Sequence, residues 1–286
     1  ETTKTIDYSI GKIRKENDSG EYVIRFTRKG RMQMPLDFTV YSREGKEYNF
    51  HIPNTWFVKK TSAAVLPKWH GWDKLHPWYD ARVTIPDGIE NVVIDTTRRL
   101  ADINMTDNSY RFPVSVAAEA GVNNNSDWTR YEVTVRPDLW YNAYDGLKTG
   151  VNLRGGYMNR LHVFELTAWM NTSILQSRFD STVSINRFDN LSYRFSFRTP
   201  VQVWGRNTFA MLSSRLLDGL QAYTAGAEQL TFSGNTRFFT FFKSMYRSGP
   251  QSMVYLLSPG EWAGWNFNNT FNAGLAHNYS FRRGTG

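Results

Sequence analysis

The chain has 286 residues and contains no cysteine. Disulfide bonds, thiolate metal sites and catalytic cysteines are therefore excluded. Long apolar runs are also missing: no stretch of about 20 apolar residues occurs, so the sequence predicts no transmembrane helix. Aromatic residues, by contrast, reach 15% although the mean hydropathy is −0.50. That combination suits a porin-like barrel, in which half of each strand is polar, and it is also compatible with a β-sandwich core.

Common catalytic signatures are absent as well. The sequence has no His-Glu-x-x-His, no Gly-x-Ser-x-Gly and no Gly-x-x-x-x-Gly-Lys motif, and spacing singles out no pair of carboxylates. We therefore predict no catalytic residue, no metal ligand and no cofactor for this chain.

One loop is nonetheless dense in potential ligands. Residues 66–80 contain His70, Asp73, His76 and Asp80 together with three tryptophans. These side chains could hold a metal ion, or the rings could order the loop by packing on the surrounding domain or resting at a membrane interface. The two histidines are six residues apart rather than four, and Pro77 opposes a helix, so the spacing favours the second interpretation.

The chain is basic, with a net charge of +8 and a sequence pI of about 9.6. Nucleic acid is the usual partner to consider for such a balance. The Lys and Arg residues are scattered along alternating segments, and no basic helix, RNP motif or zinc knuckle occurs. We therefore expect no nucleic-acid partner and assign the charge to a solvated face or to contact with anionic lipid head groups.

The stretch from Trp265 to Phe281 carries the clearest structural signal. Its odd positions are mostly apolar or aromatic, and its even positions are almost all small and polar. This period of two predicts a β-strand longer than the roughly 5–6 residues usual in soluble domains. A strand that crosses a bilayer needs about 9–11 residues, with aromatic residues at both interfaces. The pattern favours an outer-membrane β-barrel strand over the alternative, a long hairpin strand of a soluble β-protein.

The same alternation recurs from residue 128 onward and predicts eight to ten antiparallel strands. We assign one face to lipid, with the membrane-facing residues Phe195, Phe197, Trp265, Phe267, Phe271, Leu275, Tyr279 and Phe281. The opposite face would line a wet lumen, with Arg194, Arg198, Asn268 and Asn272. A soluble sandwich has no water-filled core, so charged residues on this second face favour a barrel.

The N-terminal region has shorter alternating segments joined by turns, such as the hairpin over residues 36–52. This spacing predicts a small sandwich of the immunoglobulin-like type. The predicted fold is all-β: a β-sandwich domain over residues 1–108, a connector over 109–130 and an antiparallel transmembrane β-barrel region over 131–286. Five residues follow Phe281, so either the last strand has a short tail or the barrel is incomplete here and continues in a longer parent chain.

Several segments resemble a known family. The run from Lys29 to Val40 and the segment Val92-Val93-Ile94-Asp95 are similar to the small β-sandwich domain that follows the catalytic domain in zinc aminopeptidases of the membrane alanyl aminopeptidase family. Residues 66–73 and 136–146 resemble versions from Gram-negative bacteria that carry a long C-terminal region like an outer-membrane barrel. The resemblance covers most of residues 6–150, and beyond that it rests on the strand pattern.

The resemblance implies a region C-terminal to a peptidase domain, in the outer membrane of a Gram-negative bacterium. The family's His-Glu-x-x-His is absent here, so zinc is implied for the parent protein only, and no catalytic or metal residue is carried over. The expected role is anchoring and display, with outer-membrane lipid as the partner. Two alternatives stay open: a non-catalytic barrel subunit of an envelope export or assembly complex, bound to other envelope proteins, or a solute pore lined by Arg194 and Arg198.

Overall fold

The computed structural model describes residues 4–119, 126–142, 146–175, 191–201, 204–205, 207–217, 219–231, 233–247 and 257–279. The chain is all-β, as predicted. It forms two compact units, one of Glu1–Val114 with Trp128–Arg130, the other of Ser115–Asp127 with Tyr131–Gly286. Within the described ranges, no helix has the length and apolar character needed to cross a membrane.

The first unit is built from short strands. They are β1 (Tyr8–Lys15), β2 (Glu21–Arg28), β3 (Leu36–Ser42), β4 (Glu47–Ile52), β5 (Ala64–Val65), β6 (Trp78–Thr84) and β7 (Ile89–Ile94). A three-stranded sheet has the order β1-β2-β6, and a four-stranded sheet has the order β5-β4-β3-β7. Pairing is antiparallel except between β4 and β5, which run parallel.

The two sheets of this unit share one apolar core. Successive side chains of a strand point to opposite sides, so alternate residues of each strand enter the core. The Phe26 ring of β2 lies 4.7 Å from the Phe38 ring of β3, which stacks on Phe50 of β4 at 5.0 Å. Tyr8, Trp69 and the inward residues of β6 and β7 complete the cluster. The immunoglobulin-like connectivity of this domain stays a prediction.

The described residues of the second unit form one nine-stranded sheet. Its strands are β8 (Val114–Ala118), β9 (Tyr131–Asn142), β10 (Gly146–Tyr157), β11 (Leu161–Ile174), β12 (Leu191–Pro200), β13 (Thr208–Leu217), β14 (Leu220–Leu230), β15 (Thr236–Arg247) and β16 (Asn268–His277). They lie side by side in chain order, with antiparallel pairing from β9 to β16. Strand β8 falls in the segment for which the sequence predicted a connector. Among the described residues β8 and β16 are the two edges and do not pair with each other, and barrel closure stays a prediction.

Two glycines allow neighbouring strands of this sheet to approach closely. A Cβ atom at Gly150 would lie 2.1 Å from the carbonyl oxygen of Ala168, and one at Gly226 would lie 2.4 Å from that of Thr240. Both distances are far below a normal van der Waals contact. Any side chain at either position would therefore push the adjacent strand away.

The last strand is shorter than its sequence pattern suggested. The predicted strand from Trp265 to Phe281 is wrong at its start, since Trp265 ends a 3-10 segment, Pro259–Trp265, and β16 begins only at Asn268. Pro259 at the first turn favours that segment because its ring fixes φ. At the other end His277 pairs with Thr236, the first residue of β15, and β16 ends there, two residues before Tyr279. Phe281 lies outside the described residues.

Candidate functional site

The sheet of the second unit has two chemically distinct faces. Residues directly opposite each other in antiparallel strands lie on the same face, so the register identifies the members of each face. One continuous register row crosses eight strands and contains no polar side chain: Val133, Gly155, Phe164, Phe197, Leu212, Ala225, Phe242 and Phe271. We call the face that carries this row the apolar face and the other the polar face.

Large side chains of the apolar face are exposed. Phe271 is 73% exposed, and the following residues of this face are also open: Leu139, Val151, Met170, Leu191, Leu212, Phe238, Phe242 and Leu275. A shallow depression of about 300 Å³ lies between Phe195, Leu212 and Phe242. Proteins that are monomeric in water rarely expose a contiguous apolar surface of this extent. The apolar face therefore needs a covering partner, either lipid or protein.

The polar face contains buried side chains that bind each other. Lys148 is only 1% exposed; its Nζ donates a hydrogen bond to Ser192 Oγ at 2.9 Å and lies 4.8 Å from the centre of the Trp140 ring. Nearby, Asn152 Nδ2 donates to Thr167 Oγ1 at 2.6 Å and to Glu165 Oε1 at 3.1 Å. Buried polar groups need such partners, because an unpaired one costs about 1–3 kcal/mol.

A second polar network is centred on the buried carboxylate of Glu228. Arg198 Nε donates to Glu228 Oε1 at 2.7 Å, and the Arg198 guanidinium lies 3.5 Å from the centre of the Phe209 ring. Arg237 approaches the other carboxylate oxygen at 3.6 Å. A buried carboxylate held by two guanidinium groups is locally compensated, so the charges of Glu228 and Arg198 already have partners within the protein.

The register places the sequence-predicted residues as follows. Phe195, Phe197, Phe271 and Leu275 lie on the apolar face, and Arg194, Arg198, Asn268 and Asn272 lie on the polar face. Phe267 and Tyr279 are exposed just beyond the ends of β16. Sequence reasoning missed Lys148, Arg215 and Glu228. The alternation that includes Asn152 would have placed Lys148 on the same face of β10, but Arg215 and Glu228 lie on other strands and are placed on this face only by the register between strands.

The loop rich in His, Asp and Trp does not bring its candidate ligands into one group. Arg28 Nη2 donates to the backbone oxygens of Asp73 and Leu75, and Trp69 Nε1 donates to that of His76 at 2.9 Å. Asp80 instead binds Arg25 through two hydrogen bonds of 2.7 Å. In the described part of the chain, no group of three or more His, Asp or Glu side chains could hold a metal ion. Of the three tryptophans of the loop, Trp69 packs in the core, whereas Trp72 and Trp78 are exposed, so the interpretation of a loop ordered by its rings applies to Trp69.

An acidic cluster in the first unit was not foreseen. Asp7 is buried, and its Oδ1 has no hydrogen-bond partner among the described residues. Burial, followed by repulsion from Asp102 and Asp107, raises the pKa of Asp7 to about 7. Asp102 accepts a hydrogen bond from the Tyr8 amide at 2.8 Å, and Lys29 pairs with Asp107. Asp7 consequently titrates near neutral pH, and burial also raises the pKa values of Asp102 and Asp107.

Comparisons of the chain with protein-family models, with curated proteins and with solved structures give no match. The similarity to zinc aminopeptidases therefore rests on the short sequence segments alone and stays an expectation.

Proposed function

We propose that the second unit is embedded in the outer membrane of a Gram-negative bacterium and anchors the chain there, with its apolar face against lipid. The observation that carries this proposal is the apolar register row across eight strands, opposite a face whose polar side chains bind one another. A bilayer solvates an apolar surface, and a protein interior or lumen accommodates a polar one.

Strand length supports the proposal. Strands β9 to β16 have 10–14 residues each, whereas a tilted strand needs about 9–11 to cross the hydrocarbon core. Each neighbouring pair is hydrogen-bonded, so the interior strands satisfy their own backbone groups, as a bilayer requires. Burial of a large apolar side chain contributes about 1.5–3 kcal/mol, so the exposed members of the apolar face together provide a large driving force for insertion.

Barrel closure, the place of the first unit and the display of a peptidase domain rest on other observations. A barrel would make the polar face its lumen and would need closure at the edges β8 and β16. The first unit would be a sandwich domain outside the membrane. Display of a zinc peptidase domain rests on the sequence resemblance only, because the described residues provide no zinc site. A subunit of an envelope complex is the second candidate, since a protein partner would also cover the apolar face.

An arginine substitution tests the lipid assignment. Phe271→Arg should lower the free energy of unfolding in lipid vesicles by about 2–4 kcal/mol, because an arginine near mid-depth on the lipid face is poorly solvated. Asn272→Arg is the matched control: it lies next in the strand, on the polar face, and is also exposed. Urea titration of the full chain in vesicles, followed by tryptophan fluorescence, measures both.

Equal costs for Phe271→Arg and Asn272→Arg would contradict the lipid assignment. So would a full chain that stays monomeric and soluble without detergent. A chain that copurifies with a second envelope protein at fixed stoichiometry, and loses it on Phe271→Arg, would favour the complex subunit.

A further inference from the structure

Two arginines face each other on the polar face. Arg194 of β12 and Arg215 of β13 are direct register partners in the antiparallel pair. Directly opposite residues have Cβ atoms about 4.5–5.5 Å apart, and like charges in such a pair destabilise the sheet. The sequence that folds this way must either tolerate this repulsion or use it to bind an anion.

Lys148, Arg198 and Arg237 of this face have partners among the described residues, whereas Arg194 and Arg215 do not. Lys148 binds Ser192, and Arg198 and Arg237 share Glu228. Neither Arg194 nor Arg215 makes a hydrogen bond, an ion pair or a ring contact within the described part of the chain. Glu165 lies diagonally across from Arg194, but its Oε1 already accepts the hydrogen bond from Asn152.

The surroundings of the arginine pair provide further donors. Ser196 and Ser213 are register partners two residues along the same strands and lie on the same face. Lys243 of β15, two strands away, is a further cation of this face without an ion pair among the described residues. Arg194 is exposed and Arg215 half-buried, so a ligand can reach them from water. Paired guanidinium groups match the geometry of phosphate oxygens and bind them through charge-assisted hydrogen bonds.

We infer that Arg194 and Arg215 form a binding site for a phosphate-type oxyanion on the polar face. The site goes beyond the anchoring role and does not depend on what covers the apolar face. The sequence suggested Arg194 and Arg198 as the pore lining. Because Arg198 is paired with Glu228 and stacked on Phe209, the residue that acts with Arg194 is Arg215 instead.

Phosphate binding by the full chain in a non-ionic detergent tests the inference. A titration with inorganic phosphate, monitored by ³¹P NMR, should saturate for the unmodified chain. Arg194→Gln and Arg215→Gln should each weaken binding about tenfold or more, because each removes charge-assisted hydrogen bonds. Arg237→Gln is the matched control: it removes one cation from the same face but not from the site, and should change the dissociation constant less than about twofold.

Two arms distinguish the source of the anion. In the first arm, inorganic phosphate is added to the protein; in the second, phosphatidic acid is added to the micelles. If inorganic phosphate competes with phosphatidic acid, the site binds both ligands. If only phosphatidic acid gives a response, and Arg215→Gln removes it, the ligand is a lipid head group. No response in either arm overturns the inference. Equal weakening by Arg237→Gln and Arg215→Gln also overturns it, because it would indicate diffuse attraction to net charge.

The melting temperature distinguishes a variant that binds phosphate weakly because the site is changed from one that binds weakly because it folds poorly. In phosphate-free buffer at low salt, Arg215→Gln should raise the Tm of the second unit, since it relieves the repulsion, and added phosphate should raise the Tm of the unmodified chain only. A Tm of Arg215→Gln below that of the unmodified chain, without any effect of phosphate on either protein, would contradict the site.

Discussion

The two units place apolar side chains in opposite ways. In the first unit the strands have 2–8 residues, and Phe26, Phe38 and Phe50 are packed between two sheets. In the second unit the strands from β9 onward have 10–14 residues, Phe242 and Phe271 point outward, and Lys148 and Glu228 are buried. Both units are made of the same alternating strands. Alternation therefore defines the two faces of a strand but does not determine which face contacts water. That choice depends on strand length and on the layer that covers the sheet.

The largest effect should follow from truncating a core ring of the first unit. Phe38→Ala removes contacts with both Phe26 and Phe50 and leaves a cavity, so it should cost about 3–5 kcal/mol. Phe271→Ala, at a ring of the second unit that detergent would cover, should cost less, about 1.5–3 kcal/mol, because it loses apolar contact but leaves no cavity in the protein. Hydrogen exchange of the β3 and β16 amides in the full chain measures the change in unfolding free energy for each variant. Equal changes for the two variants would remove the contrast between the units.

The acidic cluster should make the first unit sensitive to pH. The pKa of Asp7 is raised from 3.8 to about 7 in the folded chain, so the folded state holds a proton that the unfolded state releases. The contribution of this proton to the free energy of unfolding should therefore be fully present below about pH 4. It should be lost as the pH rises to about 7, and the loss is at most about 4 kcal/mol. Burial also raises the pKa values of Asp102 and Asp107, which act in the same direction.

Asp7→Asn is the matched variant for this effect, because it keeps the size of the side chain and cannot ionise. Denaturant unfolding monitored by hydrogen exchange in the first unit, at pH 5 and pH 8, should show a smaller difference for Asp7→Asn than for the unmodified chain. An equal difference in both proteins would assign the pH dependence to other groups. The second unit does not contain this cluster, so Asp7→Asn should leave its unfolding free energy unchanged at both pH values.

A smaller effect is expected from the polar face of the second unit. Thr167→Val removes the acceptor of the 2.6 Å hydrogen bond from the buried Asn152 and should cost about 1–3 kcal/mol. Thr270→Val, on the same face but exposed in β16, is the control and should stay within about 0.5 kcal/mol. Urea unfolding of the full chain in detergent checks both, and a neutral Thr167→Val would mean that this face is open to water.

The sequence predicted the parts of the fold that depend on local alternation. Phe195 next to Arg194, and Phe271 next to Asn272, lie on opposite faces because side-chain direction alternates along any strand. The start of β16 could not be read this way, since the alternation continues through Trp265 while Pro259 sets a 3-10 segment. Strand β8 was missed because its five residues lie in a segment too short to show a period.

Partners across strands were beyond sequence reasoning. Arg198 and Arg194 have the same alternation signal, yet Arg198 binds Glu228, which is 30 residues away, and Arg194 faces Arg215. That distinction depends on register, which a single sequence does not fix. The buried cluster of Asp7, Asp102 and Asp107 likewise joins residues about 100 positions apart in the chain.

The absence of native cysteine permits the most direct test of the central claim, that the apolar face contacts lipid. Single cysteines at positions 270, 271, 272, 273 and 275 of the full chain, each carrying a nitroxide label, would be reconstituted into vesicles. Collision rates with oxygen, which concentrates in lipid, and with a water-soluble nickel chelate report the environment of each label. If the apolar face contacts lipid, labels at 271, 273 and 275 should show high oxygen and low nickel accessibility, and labels at 270 and 272 the reverse. Nickel accessibility that is equally high at all five positions would contradict it.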